Sequence, residues 1–123
     1  MNGIRVPFVI KKGATGKTLQ MQLIVINPVT QEITPVNLVA GVTEIRFKMR
    51  RLEADPTAPG YALKVDRAVS ATDGVNGRLA VEWQAADLDT PADYGFQVNV
   101  TRSGKLEIYP DHGLYQLTVA ESL

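Results

Sequence analysis

Apolar and polar residues alternate along much of this chain, with a period of two. In Thr43–Leu52 the residues Ile45, Phe47 and Met49 share one side of an extended backbone, and Arg46, Lys48 and Arg50 share the other. A helix would scatter that set around its circumference, so the pattern predicts a strand. Leu79, Val81 and Trp83 alternate in the same way with Arg78, Ala80 and Glu82. Tyr94, Phe96, Val98 and Val100 alternate with Gly95, Gln97, Asn99 and Thr101, and Tyr115, Leu117 and Val119 mark a final strand. Tyr61, Leu63, Val65 and Val69 predict one more, interrupted by the charge of Arg67. Ile4–Ile10 reads as a strand that Pro7 assigns to an edge or a bulge. Leu19–Ile26 predicts a central strand, with Leu19, Met21, Leu23 and Val25 facing one way. Ile24 and Ile26 lie on its other face, so that end is expected to be covered on both sides. Ile33–Leu38 is short and contains Pro35, again an edge type.

Turn residues separate these segments: Gly13–Gly16, Asn27-Pro28, Asp55–Gly60, Asp73–Gly77, Asp89–Asp93, Ser103-Gly104 and Asp111–Gly113. Ser103-Gly104 predicts a tight hairpin between Gln97–Arg102 and Lys105–Tyr109, with the glycine supplying positive φ. Asp73–Gly77 predicts the turn from the Tyr61 strand into the Leu79 strand. Only Gln84–Asp89 reads as a helical turn. Val, Ile and Thr make up 31 of the 123 residues, a proportion that favours pleated backbone. The expectation is an all-β fold, a sandwich or a small barrel. Its predicted core is Leu19, Met21, Leu23, Ile45, Phe47, Met49, Leu63, Val65, Leu79, Val81, Trp83, Tyr94, Phe96, Val98, Leu117 and Val119.

A chain of 123 residues suits a single domain, 1–123, large enough to bury a core without disulfides or metals. The absence of cysteine excludes a disulfide scaffold, a thiol nucleophile and thiolate metal sites, and one histidine excludes a His-rich centre. Zero net charge argues against nucleic-acid binding through bulk electrostatics, and the apolar runs are far too short to span a membrane as a helix. No signal-peptide pattern opens the sequence. The zero conceals a split. Residues 1–51 hold eight basic and two acidic side chains, whereas residues 52–123 hold five and eleven. If the fold keeps the two sets on different faces, copies could approach with complementary potentials; if the strands interleave, the polarity vanishes.

Little else carries chemistry. Gly13-Ala14-Thr15-Gly16-Lys17-Thr18 imitates the end of a phosphate-binding loop, but Lys11 stands where the first glycine belongs and a strand pattern comes next instead of a helix. His112 lies in a turn beside Asp111, and neither Ser103 nor Ser122 has the setting of a nucleophile. Asp87, Asp89 and Asp93 could offer hard oxygens to calcium, but their spacing is not that of an EF-hand loop; an acidic, solubilising turn is the plainer reading. Trp83 reads as a core filler. Arg46, Lys48 and Arg50, with Arg51 adjacent, form the strongest basic stripe, either a solvated sheet face or a contact surface for the acidic Asp87, Asp89 and Asp93. No catalytic residue, cofactor or metal is expected.

Thr43–Arg51 resembles the "V-T-F-R-M-R" strand of immunoglobulin-like domains in tailed-phage structural proteins, and in particular the N-terminal domain of the upper baseplate protein family. Val81–Asp87 is similar to that family's "Y/V-x-W-x-x-x-D" segment, Asp93–Val98 to its next strand, and Gly104–Tyr115 to its "D-G-x-x-x-x-x-P-x-x-G-Y" ending. Gly13–Leu23 resembles its opening turn and strand. The resemblance implies an antiparallel immunoglobulin-like β-sandwich and a non-enzymatic role in virion assembly, inside the bacterial host. Its partners would be other phage structural proteins and copies of the chain, with no nucleic acid and no membrane. It also implies that Tyr94 is a tyrosine-corner residue, its hydroxyl tied to nearby backbone. A baseplate, tail or neck adaptor is the first expectation; a capsid decoration protein or a carbohydrate- or ligand-binding module is the alternative.

Overall fold

In the computed structural model, which describes residues 8–14, 16, 18–52, 63–110 and 114–121, the alternating segments form eleven strands. They are β1 (Phe8–Lys11), β2 (Thr18–Gln22), β3 (Ile24–Ile26), β4 (Ile33–Pro35), β5 (Val42–Arg51), β6 (Val65–Ala68), β7 (Ser70–Asp73), β8 (Arg78–Glu82), β9 (Ala92–Arg102), β10 (Lys105–Tyr109) and β11 (Tyr115–Ala120). Two 3₁₀ turns, Gly74–Asn76 and Ala85–Leu88, complete the regular structure among the described residues.

The strands make three sheets. The largest has six strands in the order β1-β11-β9-β5-β6, with β10 pairing the far half of β9 beside β11. It is mixed, not purely antiparallel, because β1 runs parallel to β11. A three-stranded antiparallel sheet has the order β2-β8-β7, and among the described residues β3 pairs only with β4. Side chains from the two larger sheets meet in one apolar cluster. Phe47, Met49, Phe96, Val98 and Leu117 come from the first sheet, and Leu19, Leu79 and Val81 from the second. Trp83 leaves β8 and sets its ring edge-on to Phe47, with centroids 5.9 Å apart and planes at 79°. Phe96 extends the aromatic chain, 5.3 Å from Phe47 and 5.3 Å from Tyr115.

Most of the predicted core is buried, Trp83 included. Leu63 is not: it lies just before β6 and is 45% exposed. Met21 is only half-buried, since β2 is an edge strand. Val36, Leu38 and Leu88 join the cluster unforeseen, and Val100, on the apolar face but outside the predicted core, joins it too.

The expected central strand Leu19–Ile26 is two strands in two sheets. Leu23 breaks it: its N–H donates to the Gly77 carbonyl at 2.8 Å, and its own carbonyl accepts from the Val36 N–H at 2.9 Å. Buried Leu23 is thus a pivot, beyond which β3 leaves the core. Ile24 and Ile26, expected under cover, are 38% and 50% exposed. Gly77 makes the pivot possible. Its φ is +73°, and a Cβ there would stand 2.5 Å from the Leu23 carbonyl oxygen and 2.8 Å from that of Val36.

The predicted strand through Val65 and Val69 also divides. β6 pairs with β5 in the large sheet, and after Val69 the chain crosses to pair with β8 as β7. Its Tyr61 end lies outside the described residues. The Ser103-Gly104 hairpin forms as expected, although Ser103 (φ 50°) shares the positive φ with Gly104 (φ 78°), as a two-residue turn of the primed type requires.

Candidate interaction surface

The face of the large sheet turned away from the core carries the basic stripe. Strand register places Arg46 opposite Asn99 on one side and Ala68 on the other, Lys48 opposite Gln97 and Asp66, and Arg50 opposite Gly95. Ile45, Phe47 and Met49 are buried beneath, as alternation demands. Arg51 begins the exposed exit from β5. On the same face, Ile108 stands opposite Asn99 and Leu106 opposite Thr101, and both apolar side chains are exposed.

This face is not uniformly basic. The Arg46 guanidinium donates to Asp66 at 2.6 Å and to Glu44 at 3.3 Å, and these carboxylates, Asp66 above all, raise its pKa further. The Gln97 amide donates to Asn99 at 2.9 Å. β5, from the basic half of the sequence, lies between β6 and β9 from the acidic half. The strands interleave, so the charge split becomes cross-strand pairing rather than two opposed faces.

The three aspartates diverge. Gln84 caps the Ala85–Leu88 turn, and the Asp87 carboxylate accepts from the Gln84 N–H at 2.8 Å in a capping box. Both Asp87 oxygens also accept from the Arg67 guanidinium at 2.6 Å, and a second nitrogen of Arg67 donates to the Glu82 carbonyl at 2.8 Å. Arg67 stands opposite Phe47 and therefore shares its core-side face, away from Arg46. Asp87, 4% exposed, is an internal fastener and adds nothing to an acidic surface patch. Arg67 neutralises it, and such a buried carboxylate is costly without its partner.

Asp89 remains outside, paired with Lys64 and accepting from the Thr90 hydroxyl at 2.9 Å. Hydrogen bonds from Lys64, then Thr90, hold its carboxyl below the usual carboxylate range. Asp93 is exposed on the outer face and accepts from the Thr118 hydroxyl at 2.7 Å. The three carboxylates thus turn to three different partners instead of converging on a cation.

Between Asp89 and Asp93 sits the predicted corner. Tyr94 is fully buried and its hydroxyl donates to the Thr90 carbonyl, four residues back, at 2.7 Å. Burial pushes its phenol pKa up, against the opposing pull of Lys64 and Arg51.

At the other end of β9, Arg102 donates to Glu107 at 3.0 Å and to the carbonyls of Ala40 at 2.6 Å and Asn37 at 2.5 Å. The Tyr109 hydroxyl donates to the same Glu107 at 2.9 Å. Arg102, then burial opposing it, then Tyr109 set the Glu107 carboxyl, which lies below its ordinary value. Arg67 had a local signal, a charge on the apolar side of its strand, but its partner did not; Lys64, Asp66 and Arg102 had none, because each joins segments distant along the chain.

A hollow of about 430 Å³ runs along the bend from β6 to β7 and is lined by Arg67, Ser70, Ala80, Glu82, Trp83 and Gln84 among others. Trp83 is buried there, so it presents no aromatic platform for a sugar ring. At the imitation phosphate loop, Thr15 and Lys17 lie outside the described residues, and the next element is the strand β2 and not a helix. His112, Asp111 and Ser122 also lie outside them.

Exposed apolar surface appears where no motif pointed. β3 and β4 form an arm beyond the core, and Ile24, Val25, Ile26, Val29 and Ile33 are all exposed on it. Large apolar residues on both faces of β3 were the available sign; they suit a strand covered twice or one not yet covered. No protein-family model matches the chain, and no curated protein matches it either.

Proposed function

We propose that the chain is a non-enzymatic structural protein of a tailed-phage virion, an assembly adaptor at the baseplate, tail or neck. In this reading the two larger sheets are the layers of an immunoglobulin-like sandwich. The shared core, the Trp83–Phe47 contact, the crossing from β6 to β7 and the Tyr94 corner support that architecture.

The observation that carries the functional reading is the composition of the outer sheet face. Exposed Leu106 and Ile108 on β10 share a face with Arg46 on β5, across β9, and that arginine is already held by two carboxylates. An ordered arginine loses little freedom on contact, and apolar side chains on the same face supply affinity, so the face suits a protein partner. Lys48, Arg50 and Arg51 would set register against the neighbour's acidic groups, with Asp89 and Asp93 the acidic residues offered in return. Exposed charge pairs contribute only about 0.2–1 kcal/mol each, so their role is orientation more than strength.

Particle content tests this. An antibody against the purified chain should label intact particles of the phage that encodes it, with density fitting this fold at a fixed position and copy number. Purified, infectious particles that lack the chain would overturn the proposal.

A further inference from the structure

The arm formed by β3 and β4 has two outer edges, and they are not equivalent. Flanking hydrogen bonds fix its pattern: the Asn27 N–H donates to the Glu32 carbonyl at 2.9 Å, and the Val36 N–H to the Leu23 carbonyl at 2.9 Å. Antiparallel pairs alternate between bonded and non-bonded, so Val25 and Thr34 form the bonded pair between these two. Ile24 and Ile26 on β3, and Ile33 and Pro35 on β4, therefore turn their backbone groups outward. On β4, Pro35 has no N–H to offer, a common way of blunting an edge. On β3, Ile24 and Ile26 each present a donor and an acceptor, and among the described residues no strand but β4 pairs with β3.

We propose that the open edge of β3 pairs with β3 of a second copy of this chain, antiparallel, across a twofold axis at Val25. The geometry is self-complementary. Ile24 falls opposite Ile26 of the second copy, and Ile26 opposite its Ile24, so all four outward N–H groups meet outward carbonyls. A continuous four-stranded sheet results, in the order β4-β3-β3-β4. Residues directly opposite share a face, so Ile33, Ile26 and Ile24 of the second copy line up in one row, and a symmetric row runs beside it.

Charge selects the same occupant. From Ile24 to Pro35 the arm carries a single charged residue, Glu32, just before β4 and away from this seam. The whole chain has zero net charge, so copies meet without a long-range barrier. A strand from a charged partner would leave its charges unmatched against Ile24, Val25 and Ile26. The seam is separate from the outer face of the large sheet and holds whether or not the protein belongs to a virion.

Two proline variants of the full chain test it. Ile26→Pro and Ile33→Pro each remove one outward N–H and one exposed isoleucine, and neither touches a hydrogen bond inside the arm; only Ile26 lies on the seam. Sedimentation over a concentration series should give a monomer–dimer equilibrium for the natural chain, with a dissociation constant below about 1 mM. Ile26→Pro should weaken it at least about tenfold and Ile33→Pro less than about twofold. Val25→Lys, which sets two ammonium groups face to face on the axis, gives a second variant whose loss of dimer recovers as salt rises. Amide exchange at Ile24 and Ile26 should slow as the dimer fills. A chain monomeric at about 1 mM, or a dimer weakened equally by both prolines or by neither, overturns the proposal.

Discussion

β5 and β3 are made of similar material and end in opposite circumstances. Both are rich in large apolar and β-branched residues, yet Phe47 and Met49 on β5 are fully buried while Ile24, Val25 and Ile26 on β3 all reach solvent. β5 has a strand on each side and the three-stranded sheet's residues over its apolar face. Among the described residues β3 has one neighbour, and a chain that pivots at Leu23 has already left the core. Apolar residues in a strand state a demand for cover; whether it is met depends on what the rest of the chain brings there.

Deletions at the two places should differ most. Phe47→Ala, which empties the centre of the Trp83–Phe47–Phe96 stack, is expected to cost about 3–5 kcal/mol in urea unfolding, and Val29→Ala on the arm less than about 0.5 kcal/mol. Equal losses would erase the distinction between core and arm. The joint between them comes next. Gly77→Ala forces positive φ on a side chain pressed against two carbonyls and should lower stability by about 1–3 kcal/mol, with faster exchange of the Leu23 amide.

A smaller change sharpens the core side. Tyr94→Phe keeps the packing and removes only the bond to Thr90, so a loss of about 1 kcal/mol is expected; a neutral outcome would reduce the corner to packing alone. The smallest effect depends on pH. Asp89 and Glu107 are held below their unfolded values, so their contribution to folding is complete above the ordinary carboxylate range. It is lost as pH falls through the lowered folded values. Unfolding midpoints should therefore drop on acidification, and Glu107→Gln should flatten that limb; a variant that falls as steeply as the natural chain would assign the loss to other carboxylates.

The same division separates the legible from the illegible in the sequence. Alternation identified β5, β8, β9 and β11 because each alternates apolar with polar residues, even though Asn99 on the polar side of β9 is buried, and Trp83 and Tyr94 fell inside on that basis. The helical turn at Gln84–Asp89 was visible too, because a single turn is local, although its capping box was not read. The breaks at Leu23 and Val69 were not, because a one-residue change of sheet leaves period two almost intact. Nor was the inward turn of Asp87: its partner Arg67 lies 20 residues away, and an aspartate in a turn reads as solvated. The stripe's residues were legible, but the neutralising Asp66 comes from a neighbouring strand that only the fold supplies.

Arg102 gives the arm a mechanical footing. The chain leaving β4 passes through Val36 to Asn37 and Ala40, and the carbonyls of the last two are grasped by one guanidinium rooted in β9. β9 is bonded to β5 along nearly its whole length and to β10 and β11 on its other side. A pull on the tip of the arm is therefore conducted at its return end into the strand most heavily cross-braced by its neighbours.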